Sequence, residues 1–329
     1  MIQLHIRRFA IIVIAFTLSI GLGLPRVDGA QVDPEVRDRV VSAAVQIAIT
    51  ANVTENGRTF PEFFPVGSGT VISPDGFVLT NYHVIDMGMH RSNFEQWEQE
   101  AAAAGAVLSF DLEERGVMIL ASPDGSLPEP AYLAEIVAQD EALDLAVLHI
   151  VAKLNGEVPS PNVPVLPYIA IGDSDAVSLA DPIDIYSYPG AGGGSLTYTT
   201  GVVSGFNFEP GVKNRAWITT DATLSGGSSG GTAVNRRGQL VGVPTQGSAL
   251  DCRPFDTNGD GALDMLDGGC IPVGGSIGQI RPINLAWPLL EQAGLSLSGA
   301  PATTPATTTA PDATATPRPG LDKTSGLKS

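Results

Sequence analysis

The sequence predicts a mainly β fold of the antiparallel barrel or sandwich class. Short segments rich in β-branched and apolar residues recur along the chain, such as residues 69–73 and 77–81. Turn-forming triplets separate such segments, with Pro-Asp-Gly at 74–76 and 123–125 and Arg-Arg-Gly at 236–238. Long stretches of helical periodicity are few. With 329 residues, of which 43% are hydrophobic, the chain is long enough to bury a substantial core.

The first thirty residues have the composition of a secretory signal peptide. Arg7 and Arg8 precede a mostly apolar run over residues 9–24, and small residues follow at Gly29 and Ala30, where cleavage is expected. A retained membrane anchor is the alternative, but this run is shorter than the roughly 20 residues that span a bilayer. We therefore expect residues 1–30 to direct export of the chain to the periplasm, the cell envelope or the medium.

Two short helices are expected near the N-terminal end of the folded part. Asp33 is a predicted N-cap and Pro34 occupies a first helical position, so residues 35–44 are predicted to be helical. Residues 92–104 are polar and then rich in alanine, which predicts a surface helix inserted among the strands.

The end of the chain divides into a helix and a tail. Residues 283–293 carry apolar residues at roughly helical spacing, and Pro288 is expected to begin or kink that helix. From residue 300 the composition shifts to Pro, Thr and Ala, which cannot bury a core. Residues 300–329 are therefore predicted to be a disordered tail, either a solvated terminus or a glycosylated or wall-spanning spacer.

The charge balance excludes several classes of partner. The formal net charge is −17, and removal of residues 1–30 takes away three arginines and one aspartate. Nucleic acids and anionic lipids require a basic surface that neutralises phosphate, so neither is an expected partner.

A glycine-rich turn at residues 226–231, Gly-Gly-Ser-Ser-Gly-Gly, is the candidate location of a nucleophile. Catalysis by serine needs an exposed hydroxyl on a tight turn, a histidine that takes its proton and a group that orients the histidine. Glycines permit the backbone angles that aim successive N–H groups at an oxyanion. A Gly/Ser run is by itself more often a flexible linker, but this one lies between strand-like residues 217–219 and 232–234.

Three histidines outside the signal segment are candidate bases. His149 lies inside the strand-like run 145–151, and His90 lies in a polar loop. His83 ends a strand, where a rigid scaffold can present a side chain. A lone histidine there would still be structural more often than catalytic.

Asp144 is the candidate orienting acid. It opens the apolar strand 145–148, and a carboxylate at the edge of the interior requires a partner. An imidazole N–H would supply that partner.

Together these segments resemble the trypsin-like serine proteases, and specifically the HtrA (DegP-like) branch, over about residues 35–295. Each family motif that surrounds a catalytic residue has a counterpart, and the motifs follow one another in the order His, Asp, Ser. The matching segments are 67–69 (Gly-Ser-Gly), 80–84 (Thr-Asn-Tyr-His-Val), 144–148 (Asp-Leu-Ala-Val-Leu), 171–174 (Ile-Gly-Asp-Ser), 220–222 (Thr-Asp-Ala) and 227–231 (Gly-Ser-Ser-Gly-Gly).

The resemblance implies two six-stranded antiparallel β-barrels in a chymotrypsin-like arrangement, at about residues 45–155 and 165–295 of a protease domain spanning 31–299. It implies that the chain hydrolyses peptide bonds through an acyl-enzyme at Ser229, with His83 as general base and Asp144 orienting it. Catalysis would need no cofactor, and the substrates would be polypeptides, unfolded proteins among them. A catalytically silent protease-like module that binds peptides or scaffolds the envelope is the alternative, and a calcium-dependent adhesion or wall protein is a third hypothesis.

Two departures from the family pattern limit what the resemblance implies. Ser228 replaces the usual Asn before the nucleophile, and the change should be tolerated because the backbone N–H groups of Gly227 and Ser229 are the expected oxyanion donors. No PDZ domain is expected after the protease core, so neither a PDZ-mediated partner nor HtrA-type oligomerisation is predicted.

The substrate pocket is predicted from the same resemblance. Thr223, six residues before Ser229, would lie at the base of the P1 pocket, which does not favour Lys or Arg. Leu224 and residues 243–245, with Val243 and Thr245, would wall a modest apolar pocket. A small or medium aliphatic P1 residue is therefore expected.

Residues 256–267 follow the pattern of an EF-hand calcium loop, with Gly261 at the sharp turn and an acid at the last position. An acidic surface turn is the alternative, but carboxylates so close together repel one another without a cation. Flanking EF-hand helices are not predicted, and the expected role of the ion is to order an inserted loop. The predicted ligands are Asp256, Asn258, Asp260, Ala262, Asp264 and Asp267.

Cys252 and Cys270 are the two cysteines of the chain, and they bracket the calcium loop at residues 252–270. An oxidising compartment would let them form a disulfide bond.

Overall fold

The structure is a computed structural model, and it describes residues 33–112, 117–122, 126–159, 165–190, 193–247, 251–254, 270–273 and 277–295. The predicted signal segment, the six predicted calcium ligands and the predicted tail lie outside these residues. The helices are α1 (Pro34–Ala43), α2 (Tyr82–Ile85), α3 (Met87–Ala103) and α4 (Trp287–Gln292). The strands are β1 (Ala44–Glu55), β2 (Arg58–Val71), β3 (Phe77–Thr80), β4 (Leu108–Leu112), β5 (Val117–Ala121), β6 (Glu129–Asp140), β7 (Leu145–Lys153), β8 (Pro182–Ser187), β9 (Thr197–Asn207), β10 (Trp217–Thr220), β11 (Thr232–Val234), β12 (Leu240–Gly247), β13 (Asp251–Pro254), β14 (Cys270–Val273) and β15 (Gly278–Pro282).

The first barrel is formed by strands β1, β2, β3, β7, β6 and β5. The ring closes because β1 pairs with β2 along its whole length and with β5 through its first half. The second half of β1 pairs instead with β4, which is a seventh strand outside the ring. Every pairing is antiparallel, and the long β1–β2 hairpin has a bulge between Ile47 and Ala48.

The second barrel is closed by six strands in the order β10, β15, β12, β11, β8 and β9. Its interior is filled by buried aliphatic side chains, among them Ile183, Ile185, Val203, Ile218 and Ile280. Alternation along β8 and its neighbours directs these side chains inward. The predicted fold class, mainly β with two six-stranded barrels and few helices, is confirmed.

The two barrels share a continuous core. Buried residues of β1 and β2 pack in one cluster with Tyr186 and Tyr188 of the second barrel and with α4. Hydroxyl groups also meet between the barrels, since Oγ1 of Thr70 lies 2.7 Å from Oγ1 of Thr232. Both hydroxyls are buried, so the contact is protected from water.

The helices lie at the ends and surface of the barrels. The side chain of Asp33 accepts a hydrogen bond from the backbone of Glu35, which is the cap predicted for α1. α3 begins at Met87, five residues before the predicted start, because the carboxylate of Asp86 accepts from the backbone N–H groups of Gly88 and Met89. A 3₁₀ turn (Ile283–Ala286) precedes α4. Among the helices that the structure describes, none combines the length and the apolar character needed to cross a bilayer.

β13 and β14 form a separate two-stranded ribbon inserted between β12 and β15. In its register Cys252 lies opposite Pro272, and Cys270 lies opposite Pro254. The two cysteines are thus diagonal neighbours across the ribbon and do not lie directly opposite each other. The pairing of Cys252 with Cys270 stays a prediction from the sequence.

Candidate active site

His83 and Asp144 are brought together by the pairing of β3 with β7. Thr80, near the end of β3, lies opposite Ala146, so the residues that follow β3 and precede β7 are neighbours. Nδ1 of His83 lies 2.8 Å from Oδ2 and 3.0 Å from Oδ1 of Asp144. The backbone N–H of His83 also donates to Oδ1, at 2.9 Å. One carboxylate therefore fixes both the ring and the backbone of the histidine.

Asp144 has a left-handed backbone conformation, with φ of 53°. Its N–H donates to the carbonyl of Glu141, which closes a tight turn before β7. The carboxylate remains partly accessible, with a side-chain exposure of 21%, against 36% for His83. The pair thus lies at the rim of the first barrel, where substrate and solvent have access.

Asn81, two residues before His83, is fully buried and links three segments of the site. Its Nδ2 donates to the backbone carbonyl of Asp144 at 2.7 Å and to Oγ1 of Thr245 at 3.0 Å. Its Oδ1 accepts from the backbone N–H of Gly230 at 2.6 Å. The side chain therefore connects the acid in the first barrel to the residue after Ser229 in the second.

Ser229 lies in the turn between β10 and β11. Both Gly227 and Gly230 have positive φ, of 93° and 81°, which non-glycine residues rarely adopt. A Cβ on Gly230 would lie 2.1 Å from the backbone oxygen of Ser68, so the position also excludes any side chain on steric grounds. The turn is thus tightly constrained next to the nucleophile candidate.

Ser68 attaches this turn to the first barrel. Its N–H donates to the carbonyl of Ser229 at 2.8 Å, and its hydroxyl donates to the carbonyl of Gly227 at 2.7 Å. The carbonyl of Gly226 in turn accepts from the backbone of Gly190 at 2.9 Å. Because a trans peptide points its N–H away from its carbonyl, this bond turns the N–H of Gly227 away from Gly190.

Two backbone donors of the turn are left free. Within the described residues, neither the N–H of Gly227 nor that of Ser229 has a hydrogen-bond acceptor. Paired free N–H groups of this kind can bind a developing oxyanion. They belong to the two residues predicted as donors from the sequence.

The hydroxyl of Ser229 donates to the backbone carbonyl of Thr245, at 2.9 Å. No hydrogen bond joins Ser229 to His83 in the part of the chain that the structure describes. The three residues predicted to act together therefore include one formed pair, His83 with Asp144, and a serine whose hydroxyl is directed to a different acceptor.

The residues predicted to form the P1 pocket have unequal environments. Leu224 and Val243 are 9% and 1% exposed and pack in the barrel cores. Thr245 is buried, and its hydroxyl donates to the carbonyl of Val243. Thr223 is exposed, and its carbonyl accepts from the hydroxyl of Thr199.

The other two histidines lie outside this arrangement. His90 is buried at the start of α3, where its Nε2 lies 2.9 Å from the carbonyl of Val84. Burial, which disfavours the charged imidazolium, lowers the pKa of His90 below its ordinary value. His149 stacks on Phe77, with ring centroids 4.4 Å apart.

Asn81 and Ser68 stand in the motifs that carry the resemblance, but neither motif predicts the contacts that these two side chains make. Their contacts span the two barrels, so no local pattern could reveal them. No group of three or more His, Cys, Asp or Glu side chains forms a metal site among the residues described. The predicted calcium ligands, at residues 256–267, fall outside those residues.

Comparisons with known proteins identify the family to which the chain belongs. The trypsin-like peptidase domain family matches residues 67–243. The magnetosome formation protease MamE of Magnetospirillum gryphiswaldense is 31% identical over 183 residues, which are 55% of this chain and 18% of that protein. A probable periplasmic serine endoprotease, DegP-like, of Rickettsia prowazekii is 28% identical over 204 residues, or 61% of this chain and 31% of that protein.

The fold is also similar to that of a solved structure, the HtrA-type protease AlgW with decapeptide. The two chains superpose with a TM-score of 0.50 at 21% sequence identity, over 78% of this chain and 66% of the other. This chain therefore spans less than a third of the two curated relatives and slightly less than two thirds of the AlgW chain.

Proposed function

Because the chain belongs to the trypsin-like peptidase domain family, we propose that it is a serine endopeptidase with Ser229 as nucleophile, His83 as general base and Asp144 as the acid that orients the base. The observation that carries the proposal is the 2.8 Å contact between His83 and Asp144 beside a constrained turn with two free N–H groups. Each part of this arrangement has a distinct chemical use.

The proposed reaction begins with proton transfer. A carboxylate only accepts hydrogen bonds, so the Nδ1 proton of His83 is held by Asp144 and Nε2 is left as the base. Nε2 removes the hydroxyl proton of Ser229 as its Oγ attacks the carbonyl carbon of the substrate. The N–H groups of Gly227 and Ser229 stabilise the negative oxygen that results.

Collapse of this intermediate breaks the C–N bond, and His83 returns the proton to the leaving amine. Water then attacks the acyl carbon while His83 takes a proton from it. The bond from that carbon to Oγ of Ser229 breaks, His83 returns the proton to Oγ, and the second product leaves as a carboxylic acid, which ionises. No step requires a metal or an organic cofactor.

The hydrogen bond from Ser229 to Thr245 is the observation that favours the alternative, a catalytically silent peptide-binding module. Rotation about one side-chain bond moves the hydroxyl of Ser229 between staggered positions, so the bond to Thr245 does not fix a single direction. Catalytic hydrogen bonds are often unformed before substrate binds. The serine conformation therefore does not outweigh the intact set of groups around it.

Labelling with a fluorophosphonate separates the two functions. Wild-type protein should be labelled at Ser229, and Ser229→Ala should not. Ser228→Ala is the matched control, since this neighbouring serine is buried and bonds only within the turn and to Ser187. Turnover of an unfolded protein substrate should fall by roughly 10⁴ to 10⁶ in Ser229→Ala. Equal cleavage by wild type and Ser229→Ala would refute the proposed mechanism.

We further propose that the enzyme is exported, acts on polypeptides, and prefers an aliphatic P1 residue. The periplasmic designation of the Rickettsia relative supports export, as does the composition of residues 1–30. The calcium loop at residues 256–267 and the pairing of Cys252 with Cys270 remain proposals made from the sequence.

A further inference from the structure

A cavity of about 350 Å³ opens beside the glycine-rich turn at residues 226–231, which we call the nucleophile turn. Gly226 and Gly227 form one wall, and Val66 and Gly67 of β2 form another. Tyr188 and Gln46 complete the lining, and several glycines contribute no side chain that would fill the space. A substrate bound at Ser229 would therefore have a side-chain-sized space within reach.

Gln46 is the unusual residue of this cavity. It lies in β1 between Ser68 of β2 and Leu120 of β5, and only 4% of its surface is exposed. Within the described residues its side-chain amide makes no hydrogen bond. A Cβ placed on Gly194 would lie 4.0 Å from Nε2 of Gln46, so the amide faces the cavity and is open to whatever fills it. A ligand that carries an amide can therefore pair with Gln46 in place of water.

The other polar group of the cavity is already engaged. The hydroxyl of Tyr188 donates to the carbonyl of Ala44 at 3.2 Å, and burial raises the pKa of this phenol. Among the described residues, no Asp, Glu, Lys or Arg lines the cavity, so a charged ligand side chain would meet no counter-charge from them. The lining thus fits an uncharged group that both donates and accepts hydrogen bonds.

We propose that this cavity is a substrate subsite for Gln or Asn, read by the side-chain amide of Gln46 through paired amide hydrogen bonds. The inference rests on the proposed role of Ser229. The predicted P1 pocket is walled by Leu224 and Val243, whereas this cavity lies between Gly226 and Gly227 of the turn and Val66 and Gly67 of β2. The side chain it receives therefore belongs to the first two residues on the leaving-group side of the scissile bond.

The test measures peptide binding to Ser229→Ala, in which chemistry cannot contribute. Peptides that carry Gln or Leu at either of the two leaving-group positions are compared by fluorescence anisotropy. The Gln peptide should bind about tenfold more tightly at one of these positions, as expected for a completed buried hydrogen-bond pair. Gln46→Leu in the same background should remove or reverse this preference. Gln139→Leu, the same change at an exposed site of β6, should leave it intact.

The possible results are distinguishable. An unchanged preference in Gln46→Leu, or no preference for Gln in the parent, overturns the subsite. A third result separates the two proposals. If fluorophosphonate fails to label wild type, but Ser229→Ala prefers the Gln peptide and Gln46→Leu in that background does not, the subsite stands and the proposed catalytic function fails. Cleavage of a peptide library by wild type and Gln46→Leu gives a second measurement, in which amide residues should be enriched only for wild type.

Discussion

At the scale of single residues, Asp144 combines a proposed catalytic role with an unfavourable backbone conformation. A non-glycine residue with φ of 53° costs of order 1 kcal/mol, although Asp and Asn tolerate this region better than other residues. The bond from Asn81 to its carbonyl and the bond from the backbone of His83 to its carboxylate offset this cost. The surrounding structure thus holds the acid in place.

Asp144→Asn is predicted to preserve the fold and abolish most activity. Asn also accepts the left-handed conformation and keeps an oxygen for the backbone of His83. Its amide cannot accept the Nδ1 proton in the same way, so the ring adopts the wrong tautomer and kcat should fall roughly 10⁴-fold. Steady-state kinetics with a thermal melt as control test this, and near-normal kcat would transfer the role to another acid.

Asn81→Ala is predicted to lower kcat by about 10²-fold per active site, because the turn and the acid lose their common anchor. Active-site titration counts competent sites and separates this effect from misfolding. Asn235→Ala is the control, since Asn235 bonds Arg237 and Gln239 in a turn that the catalytic groups do not contact. A normal kcat per titrated site in Asn81→Ala would reduce Asn81 to a structural role.

The positions of His83, Asp144 and Ser229 could be predicted from the sequence because each stands in a local motif. The contacts of Asn81 could not, since its partners lie 63, 149 and 164 residues away along the chain. The direction of the Ser229 hydroxyl was equally beyond prediction, because a side-chain rotation leaves no mark on the sequence pattern.

At the scale of elements, β4 and α3 show which element positions the sequence pattern does not predict. Strand positions followed from apolar segments and turn triplets, but β4 was not anticipated as a seventh strand, since its pairing depends on the length of the β1–β2 hairpin. The start of α3 was placed five residues late because Asp86 was not recognised as its cap. Caps depend on side-chain direction, which composition alone does not reveal.

Gly230→Ala is predicted to be far more destabilising than Gly57→Ala. Both glycines have φ near 80°, so both substitutions carry a backbone cost of about 1–2 kcal/mol. A Cβ at Gly57 meets nothing within 4 Å, whereas at Gly230 it overlaps Ser68 and Thr80. Overpacking should add about 1–3 kcal/mol at Gly230. Urea denaturation of both variants measures the difference, and equal losses would contradict the geometry of the turn.

His90 is predicted to make the fold sensitive to mild acid. Burial lowers the pKa of His90, so its contribution to stability is fully present above the unfolded value of about 6.5 and is lost as pH falls towards the folded value. The free energy of unfolding should therefore decrease on acidification below about pH 6.5, and His90→Gln should reduce this slope. His149→Gln serves as control, and identical slopes in all three proteins would exclude the effect.

At the scale of the whole molecule, the insertion between β12 and β15 emerges close to the proposed active site. β12 contains Thr245, whose carbonyl accepts from Ser229, and ends at Gly247, which lies opposite Gly278 of β15. The predicted calcium loop is carried by this insertion. An ion that binds there only in the folded state would stabilise the protein, by an amount that rises with the logarithm of its free concentration once that exceeds the Kd.

Chelation is predicted to lower the melting temperature, and millimolar Ca²⁺ is predicted to restore it. Asp256→Ala combined with Asp260→Ala should abolish this response, because both predicted ligands are lost. Asp111→Ala with Glu135→Ala removes the same charge from exposed strand positions and should retain the response. A melt indifferent to chelator and Ca²⁺, with no metal by elemental analysis, would leave an acidic turn at residues 256–267.

Hydrogen bonds between the two barrels also determine at which stage of folding the proposed catalytic centre forms. Ser68 with Gly227, Thr70 with Thr232 and Asn81 with Thr245 join residues separated by 159, 162 and 164 positions. Contacts this distant in sequence form late, since a long loop must close before any of them contributes. A nascent chain with only its first barrel folded would hold His83 and Asp144 without a nucleophile. The chain would thus be unable to cleave peptides until both barrels have docked. Partly folded copies of the protein would therefore not cleave one another.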